Sequence, residues 1–293
     1  MYDVYHYPKE KGYQNDFFRV IDFLNNFNDK YEFIFMHWSR FEWMFGRDSF
    51  KAEDLENITM FQKDGDIKGI LLFEDDPKDV YFAVYEDDDT LKKEMVEYFV
   101  KHHPESDMII PEDETMKNLL ANHGFEKTDW IDPVTKFSRI DFETPNTNGY
   151  EIIPLSEDYR LDQVNYALHR GFNHGDDVDY SEKTLEERRH MTSTPNYNKD
   201  YTYVARYHGR FVSFVNLFYK KGTKSALVEP VATVPEHRRK YLARACIYKA
   251  IEAVRGDGAK EVFVGSNRDV YLNMGFQPFD QATRYKRKKK WNR

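Results

Sequence analysis

Apolar and polar positions along the chain change period in a set order, and that order occurs twice. Residues 60–74, MFQKDGDIKGILLFE, read as two strands around an Asp64-Gly65-Asp66 turn. The apolar run VYFAV (80–84) predicts a buried strand, and TLKKEMVEYFVKHH (90–103) predicts a helix with Leu91, Met95, Tyr98 and Phe99 on one face. DMII (107–110) is a short strand, and ETMKNLLANHGF (114–125) is a second helix closing on Gly124-Phe125. The later half repeats the layout. YTYVARYHGRFVSFVNLFY (201–219) is a hairpin turning at His208-Gly209, and ALVEPVATV (226–234) is a buried strand. RRKYLARACIYKAIEAV (238–254) is a helix with Leu242, Cys246, Ala250 and Ala253 along one face, stopping at Gly256. EVFVG (261–265) is a strand and DVYLNMGF (269–276) a short helix closing on Gly275-Phe276. Corresponding features are offset by roughly 144–151 residues, which marks a duplication read from element order. The pattern predicts an α/β chain of the α+β type.

The chain has 293 residues, enough for two domains that each bury a core. Its 23 Phe, 21 Tyr and 4 Trp exclude a collagenous or largely disordered chain. The polar stretch Glu143 to Gly149, ETPNTNG, lies between two strand-like segments and predicts the joint, giving domains 1–145 and 146–293. Charge divides at the same place. Residues 1–145 hold 17 Lys+Arg against 33 Asp+Glu, and residues 146–293 hold 26 against 18. A polyanionic ligand is therefore expected in the later domain. One cysteine, Cys246, excludes an intrachain disulfide, and its place on an apolar helix face predicts a core residue. The start of the chain lacks a leader pattern and its apolar runs are too short to span a bilayer, so a cytoplasmic protein without membrane contact is expected. The basic run Arg284 to Arg293 predicts a solvated last strand or frayed tail, with nucleic-acid binding the lesser reading. The aromatic cluster Phe33 to Phe45, with His37, Trp38, Arg40, Phe41 and Trp43, predicts core.

Two segments carry a resemblance. Val234-Pro235-Glu236-His237-Arg238-Arg239-Lys240-Tyr241-Leu242-Ala243-Arg244-Ala245 resembles the Arg/Gln-x-x-Gly-x-Gly/Ala signature of the GNAT superfamily of N-acetyltransferases at a strand-to-helix junction. Tyr271-Leu272-Asn273-Met274-Gly275-Phe276 resembles that family's Tyr-x-x-x-Gly-Phe landmark. The resemblance covers residues 150–290 and reaches 1–145 as fold pattern. It implies two tandem GNAT-like domains, each a mixed, mostly antiparallel sheet flanked by helices, the first a degenerate copy not expected to bind coenzyme A. It also implies an acetyl-CoA-dependent transfer to a primary amine of a small molecule or peptide, with no metal. The alternative is a catalytically inactive CoA-binding or interaction module.

The residues fit that chemistry. The first turn of a helix offers unpaired N–H groups and a partial positive charge to a diphosphate, here flanked by Arg238, Arg239, Lys240 and Arg244. Backbone donors are expected from Arg239, Lys240, Tyr241, Leu242 and Ala243. The signature departs from the family at Tyr241, which stands where the first Gly is usual and either crowds the approach or projects away. By resemblance Tyr271 hydrogen-bonds the leaving sulfur as the acid, or else it is a structural ring on a short helix; the stretch from Asn267 to Tyr271 is shorter than the family spacing. Glu229 shares a strand face with Val231 and Thr233 and is either the base, its carboxyl raised by desolvation, or an ordinary strand-end residue before Pro230. Pro230 cannot donate a ladder bond and predicts a bulge, leaving Val231, Ala232 and Thr233 as candidate donors to the pantetheine and thioester. Segment 169–180, with Asp176, Asp177 and Asp179, is expected to shape the acceptor pocket. In the first half the equivalent junction is Tyr85-Glu86-Asp87-Asp88-Asp89-Thr90, where acids would repel phosphate, and Leu120 stands in place of Tyr271.

Overall fold

The computed structural model describes residues 2–10, 12–31, 35–47, 50–84 and 88–288. The elements run β1 (Asp3–His6), α1 (Asn15–Tyr31), α2 (Trp38–Phe45), β2 (Thr59–Lys63), β3 (Asp66–Leu72), β4 (Asp79–Val84), α3 (Asp89–His102), β5 (Asp107–Ile110), α4 (Glu114–Asn122) and β6 (Phe125–Phe137). The same order then recurs as β7 (Glu151–Pro154), α5 (Leu161–Gly171), α6 (Glu182–Met191), β8 (Thr202–Tyr207), β9 (Arg210–Tyr219), β10 (Ser225–Thr233), α7 (Leu242–Gly256), β11 (Glu261–Val264), α8 (Asp269–Leu272) and β12 (Phe276–Arg287). The duplication thus extends to elements the hydrophobic pattern had not delimited: an edge strand and two helices open each half.

The chain forms two compact units, one made of residues up to Val134 plus those from Phe279 on, the other of Thr135–Pro278. This differs from a joint at 143–149. In the first unit the strand order is β1-β2-β3-β4-β5-β12, and in the second β7-β8-β9-β10-β11-β6. The end of β6, from Thr135, thus belongs to the second unit, and β12 from Phe279 on to the first. Thr283, Arg284 and Tyr285 pair antiparallel with Ile110, Ile109 and Met108, while Lys136 and Thr135 pair with Phe263 and Val264. Within each unit one neighbouring pair is parallel, β4 with β5 and β10 with β11, and each parallel ladder is only three residue pairs long.

In the second unit α7 buries Leu242, Ala245, Cys246, Ile247, Tyr248, Ala250, Ile251 and Val254 against β9 and β10; of the four predicted positions Ala253 is only partly buried. Cys246 is fully buried, and burial pushes its thiol well above the usual range, as befits a core residue. In the first unit α3 buries Leu91, Met95 and Phe99 over β3, where Gly69 leaves space for the Met95 sulfur. Trp38, Phe41 and Phe45 are core, and Arg40 lies buried on Asp132 at 2.8 Å; Phe33 is outside the described residues. Of the basic C-terminal run, Arg284 belongs to β12, pairs with Asp79 and covers the Trp130 ring at 4.3 Å; residues 289–293 lie outside the described part.

Candidate active site

The break predicted at Pro230 is present. Val228 pairs with Leu217, but the next pair is Val231 with Val215, so β10 carries one extra residue at Glu229-Pro230, across a cis peptide bond. The ladder to β11 stops at Leu227, and beyond it β10 and β11 part. Val234 N–H donates to Val212 O at 2.9 Å. By alternation Ala232 also faces β9, while Val231 and Thr233 turn their N–H groups to the open side. Ala232 is thereby removed from the candidate donors, and Val231 and Thr233 remain. Gly171, at the end of α5, closes over this point: a Cβ there would lie 2.7 Å from Ala232 Cβ and 2.9 Å from Thr233 N, so only glycine fits.

A cavity of 470 Å³ runs from this opening to the start of α7, lined among others by Val231, Thr233, Arg239, Tyr241, Arg268 and Tyr271. Tyr241 is the N-cap of α7 in the left-handed conformation, φ 62° and ψ 14°. That is the conformation a glycine would adopt without strain, which accounts for the small residue usual there. Tyr241 is 61% exposed, and its ring lies 5.3 Å under the guanidinium of Arg244, which lines the cavity with it. The first helical bond there is Ala245 N–H to Tyr241 O, at 2.9 Å. The N–H groups of Leu242, Ala243 and Arg244 precede it, and these three residues line the cavity.

The basic side chains divide in role. Arg238 Nε donates to Thr233 O at 2.9 Å, and its Nη2 donates to Gly171 O at 2.9 Å and Asn173 Oδ1 at 2.8 Å, so this residue braces the loop after α5 against β10. Lys240 Nζ donates to Tyr150 Oη at 2.9 Å and is not among the cavity-lining residues. Arg238, Arg239 and Arg244 line the cavity, joined by Arg268, which carries no signal in the sequence because it stands outside the signature.

Glu229, Val231 and Thr233 are the half-buried residues of β10, and the extra residue at Glu229-Pro230 interrupts the alternation between Val228 and Val231. The Glu229 carboxylate does not line the cavity but acts on Tyr271. Burial pushes the Tyr271 hydroxyl up to about 12; the negative charge of Glu229 adds to this and Arg268 opposes it. Tyr271 thus keeps its proton at neutral pH. In segment 169–180, Asp176 pairs with Arg170, and Asp179 accepts from Ser181 N–H at 2.8 Å and Thr184 Oγ1 at 2.5 Å beside Ser181, the N-cap of α6. These two carboxylates serve local structure rather than an open acceptor pocket. Among the described residues no group of His, Cys, Asp or Glu is arranged to hold a metal, and no helix is long and apolar enough to cross a membrane.

At the matching junction of the first unit, Asp88 is the N-cap of α3. Its carboxylate accepts from Thr90 N–H at 2.9 Å and Leu91 N–H at 3.0 Å, and from Tyr2 Oη. The Tyr2 hydrogen bond and those amides hold its carboxyl below the usual range. Tyr85 to Asp87 lie outside the described residues. Leu120 is fully buried.

Residues 165–276, which lie within the second unit, match the model of the acetyltransferase (GNAT) family. No curated protein matches the sequence. Among solved structures the fold is similar to a GCN5-related N-acetyltransferase from Sphaerobacter thermophilus, with TM-score 0.59 and 11% identity over 97% of this chain and 94% of that one. It is also similar to a tandem GNAT protein from the clavulanic acid biosynthesis pathway, with TM-score 0.56 and 13% identity over 97% and 98% of the two chains. A GNAT-family acetyltransferase from Colwellia psychrerythraea follows, with TM-score 0.51 and 10% identity over 79% and 85%. At these identities the likeness is one of fold, a tandem GNAT fold over nearly the whole chain.

Proposed function

We propose that the second unit transfers an acetyl group from acetyl-CoA to a primary amine of a small molecule or peptide. The observation that carries this reading is one continuous cavity joining the free N–H groups at the start of α7 to the parted strands and Tyr271. The diphosphate would be held by the amides of Leu242, Ala243 and Arg244 with Arg239 and Arg244 around it. The pantetheine arm would meet the N–H groups of Val231 and Thr233, one of which would polarise the thioester oxygen.

Glu229 would take one proton of the incoming ammonium, directly or through water; the neutral nitrogen would attack the carbonyl carbon, and as the carbon–sulfur bond breaks the second nitrogen proton would pass to the departing thiolate, leaving the amide and the free thiol. Tyr271 would donate its hydrogen bond to the departing sulfur. A phenol near 12 facing a thiol near 8.5 makes full proton transfer uphill by about 5 kcal/mol. Protonation of Glu229 removes the charge that raises Tyr271, so the acid strengthens once the base has acted. In the first unit, the Asp88 carboxylate occupies the amides that would hold phosphate, so we assign that unit no cofactor by this route.

Calorimetry with acetyl-CoA tests the binding step, and absence of heat at millimolar ligand would overturn it. Thiol release with ethylamine, spermidine, lysine and a tripeptide tests transfer. A cofactor-binding protein without activity is the second reading, favoured by the four-residue α8 that carries Tyr271. Binding of acetyl-CoA without thiol release for any amine selects it.

A further inference from the structure

A helix of four residues closes few bonds of its own: the carbonyls of Asp269, Tyr271 and Leu272 accept from the N–H groups of Asn273, Met274 and Gly275. The next three carbonyls, which follow the helix, are taken by side chains from outside the segment. Arg244 Nη2 donates to Asn273 O at 2.9 Å, Tyr248 Oη to Met274 O at 2.7 Å, and Ser138 Oγ to Gly275 O at 2.8 Å, with Ser138 N–H on the same oxygen at 3.0 Å. On the other side of Tyr271, Thr135 Oγ1 donates to Ser266 O at 2.9 Å. Thr135 and Tyr248 are 0% and 2% exposed, so these two donors are themselves fixed. Gly275 has φ 105°, and a Cβ there would lie 2.6 and 2.7 Å from Arg139 Cγ and Cδ, so the turn that ends the segment is closed by the residue next to Ser138. Four carbonyls flanking one hydroxyl are thus held by the strand residues 135–138 and by α7.

We infer that Thr135, Ser138 and Tyr248 are positioning residues that set the Tyr271 hydroxyl against the reacting thioester. The inference rests on the reading of Tyr271 as the acid. Thr135 and Ser138 lie before the joint read from the sequence, at the end of the first half's last strand. The second unit's chemistry therefore depends on residues that a cut at 145 would remove. The net worth of a neutral hydrogen bond is modest, but a reacting group displaced by an ångström loses up to about 100-fold in rate, so the effect belongs in kcat.

The test uses full-length protein, acetyl-CoA and the amine of the panel that gives the fastest thiol release. Tyr271→Phe is measured first; an unchanged kcat removes Tyr271 from the mechanism and this proposal with it. Ser138→Ala, Thr135→Val and Tyr248→Phe are then each expected to lower kcat about tenfold with KM for acetyl-CoA within twofold. Ser138→Ala keeps the main-chain bond to Gly275, and its melting temperature verifies the fold. Ser138→Thr, which restores a hydroxyl, should recover most of the rate. In the Tyr271→Phe background the same three substitutions should change kcat less than twofold, because a misplaced ring without its hydroxyl has nothing to lose. If Tyr271→Phe is slow but the three variants are unaffected, or lose the same factor in both backgrounds, the positioning role is overturned while Tyr271 keeps its part.

Discussion

Replacing Tyr241 by glycine and by valine separates the backbone of the anion cradle from the ring that stands on it. Tyr241 sits at φ 62° and ψ 14°, where an L-residue costs roughly 1–2 kcal/mol relative to glycine. Glycine relieves that strain but adds about 0.5–1 kcal/mol of chain entropy on folding and removes an exposed cation–π contact of about 0.5–1 kcal/mol. The three terms nearly cancel, and Tyr241→Gly should lie within about 0.5 kcal/mol of the parent. Valine keeps the strain, adds a β-branch where the left-handed region tolerates it least, and loses the same contact. Tyr241→Val should therefore fall at least about 0.5–1 kcal/mol below Tyr241→Gly, or roughly 1–4 °C in melting temperature. The glycine variant also frees the Arg244 guanidinium from the ring, 5.3 Å away, for the diphosphate. Released from a contact of about 0.5–1 kcal/mol, it should tighten CoA binding about two- to fivefold by calorimetry. Equal melting temperatures for the two variants would refute the left-handed cap, and weaker CoA binding by the glycine variant would place the ring in the site.

Other consequences are as direct. Gly171→Ala puts a Cβ 2.9 Å from Thr233 N, so it should narrow the parted strands and lower acetyl-CoA affinity at least tenfold, read by calorimetry. Asp88→Ala removes the cap of α3 and should cost about 1 kcal/mol in thermal or urea unfolding while leaving acetyl-CoA binding unchanged. The raised Tyr271 hydroxyl favours the protonated form, so its contribution to stability is complete below pH 10 and is lost as pH rises toward 12. Unfolding titrations of Tyr271→Phe against the parent should therefore show the variant gaining up to about 3 kcal/mol, relative to its own difference at pH 8, across that window. A constant difference from pH 8 to 12 would contradict the burial of that hydroxyl.

Much of the site was legible along the chain because its parts are local. The break at Glu229-Pro230 follows from a proline without an N–H, the helix start from a basic junction after a buried strand, and the Gly275 turn from its place after a short apolar helix. The shared face of Val231 and Thr233, beyond the bulge, follows from strand alternation alone. Arg268 and Gly171 carried no comparable signal, since one is a lone cation in a loop and the other a glycine whose neighbour is 61 residues away in sequence.

The sequence by itself determined the order of elements, the repeat of that order and the character of each helix face, because period and turn chemistry act over a few residues. Only the tertiary structure decided which side chains remain for a ligand. Arg238 and Lys240 look equivalent to Arg239 and Arg244 in the chain, yet one braces a loop and the other meets a tyrosine, since the partner atoms come from other elements. Tertiary pairing alone also decided the partition into units. The strands after α4 and α8 carry the same alternating pattern, and alternation fixes which face of a strand is buried but not which neighbour completes its ladder.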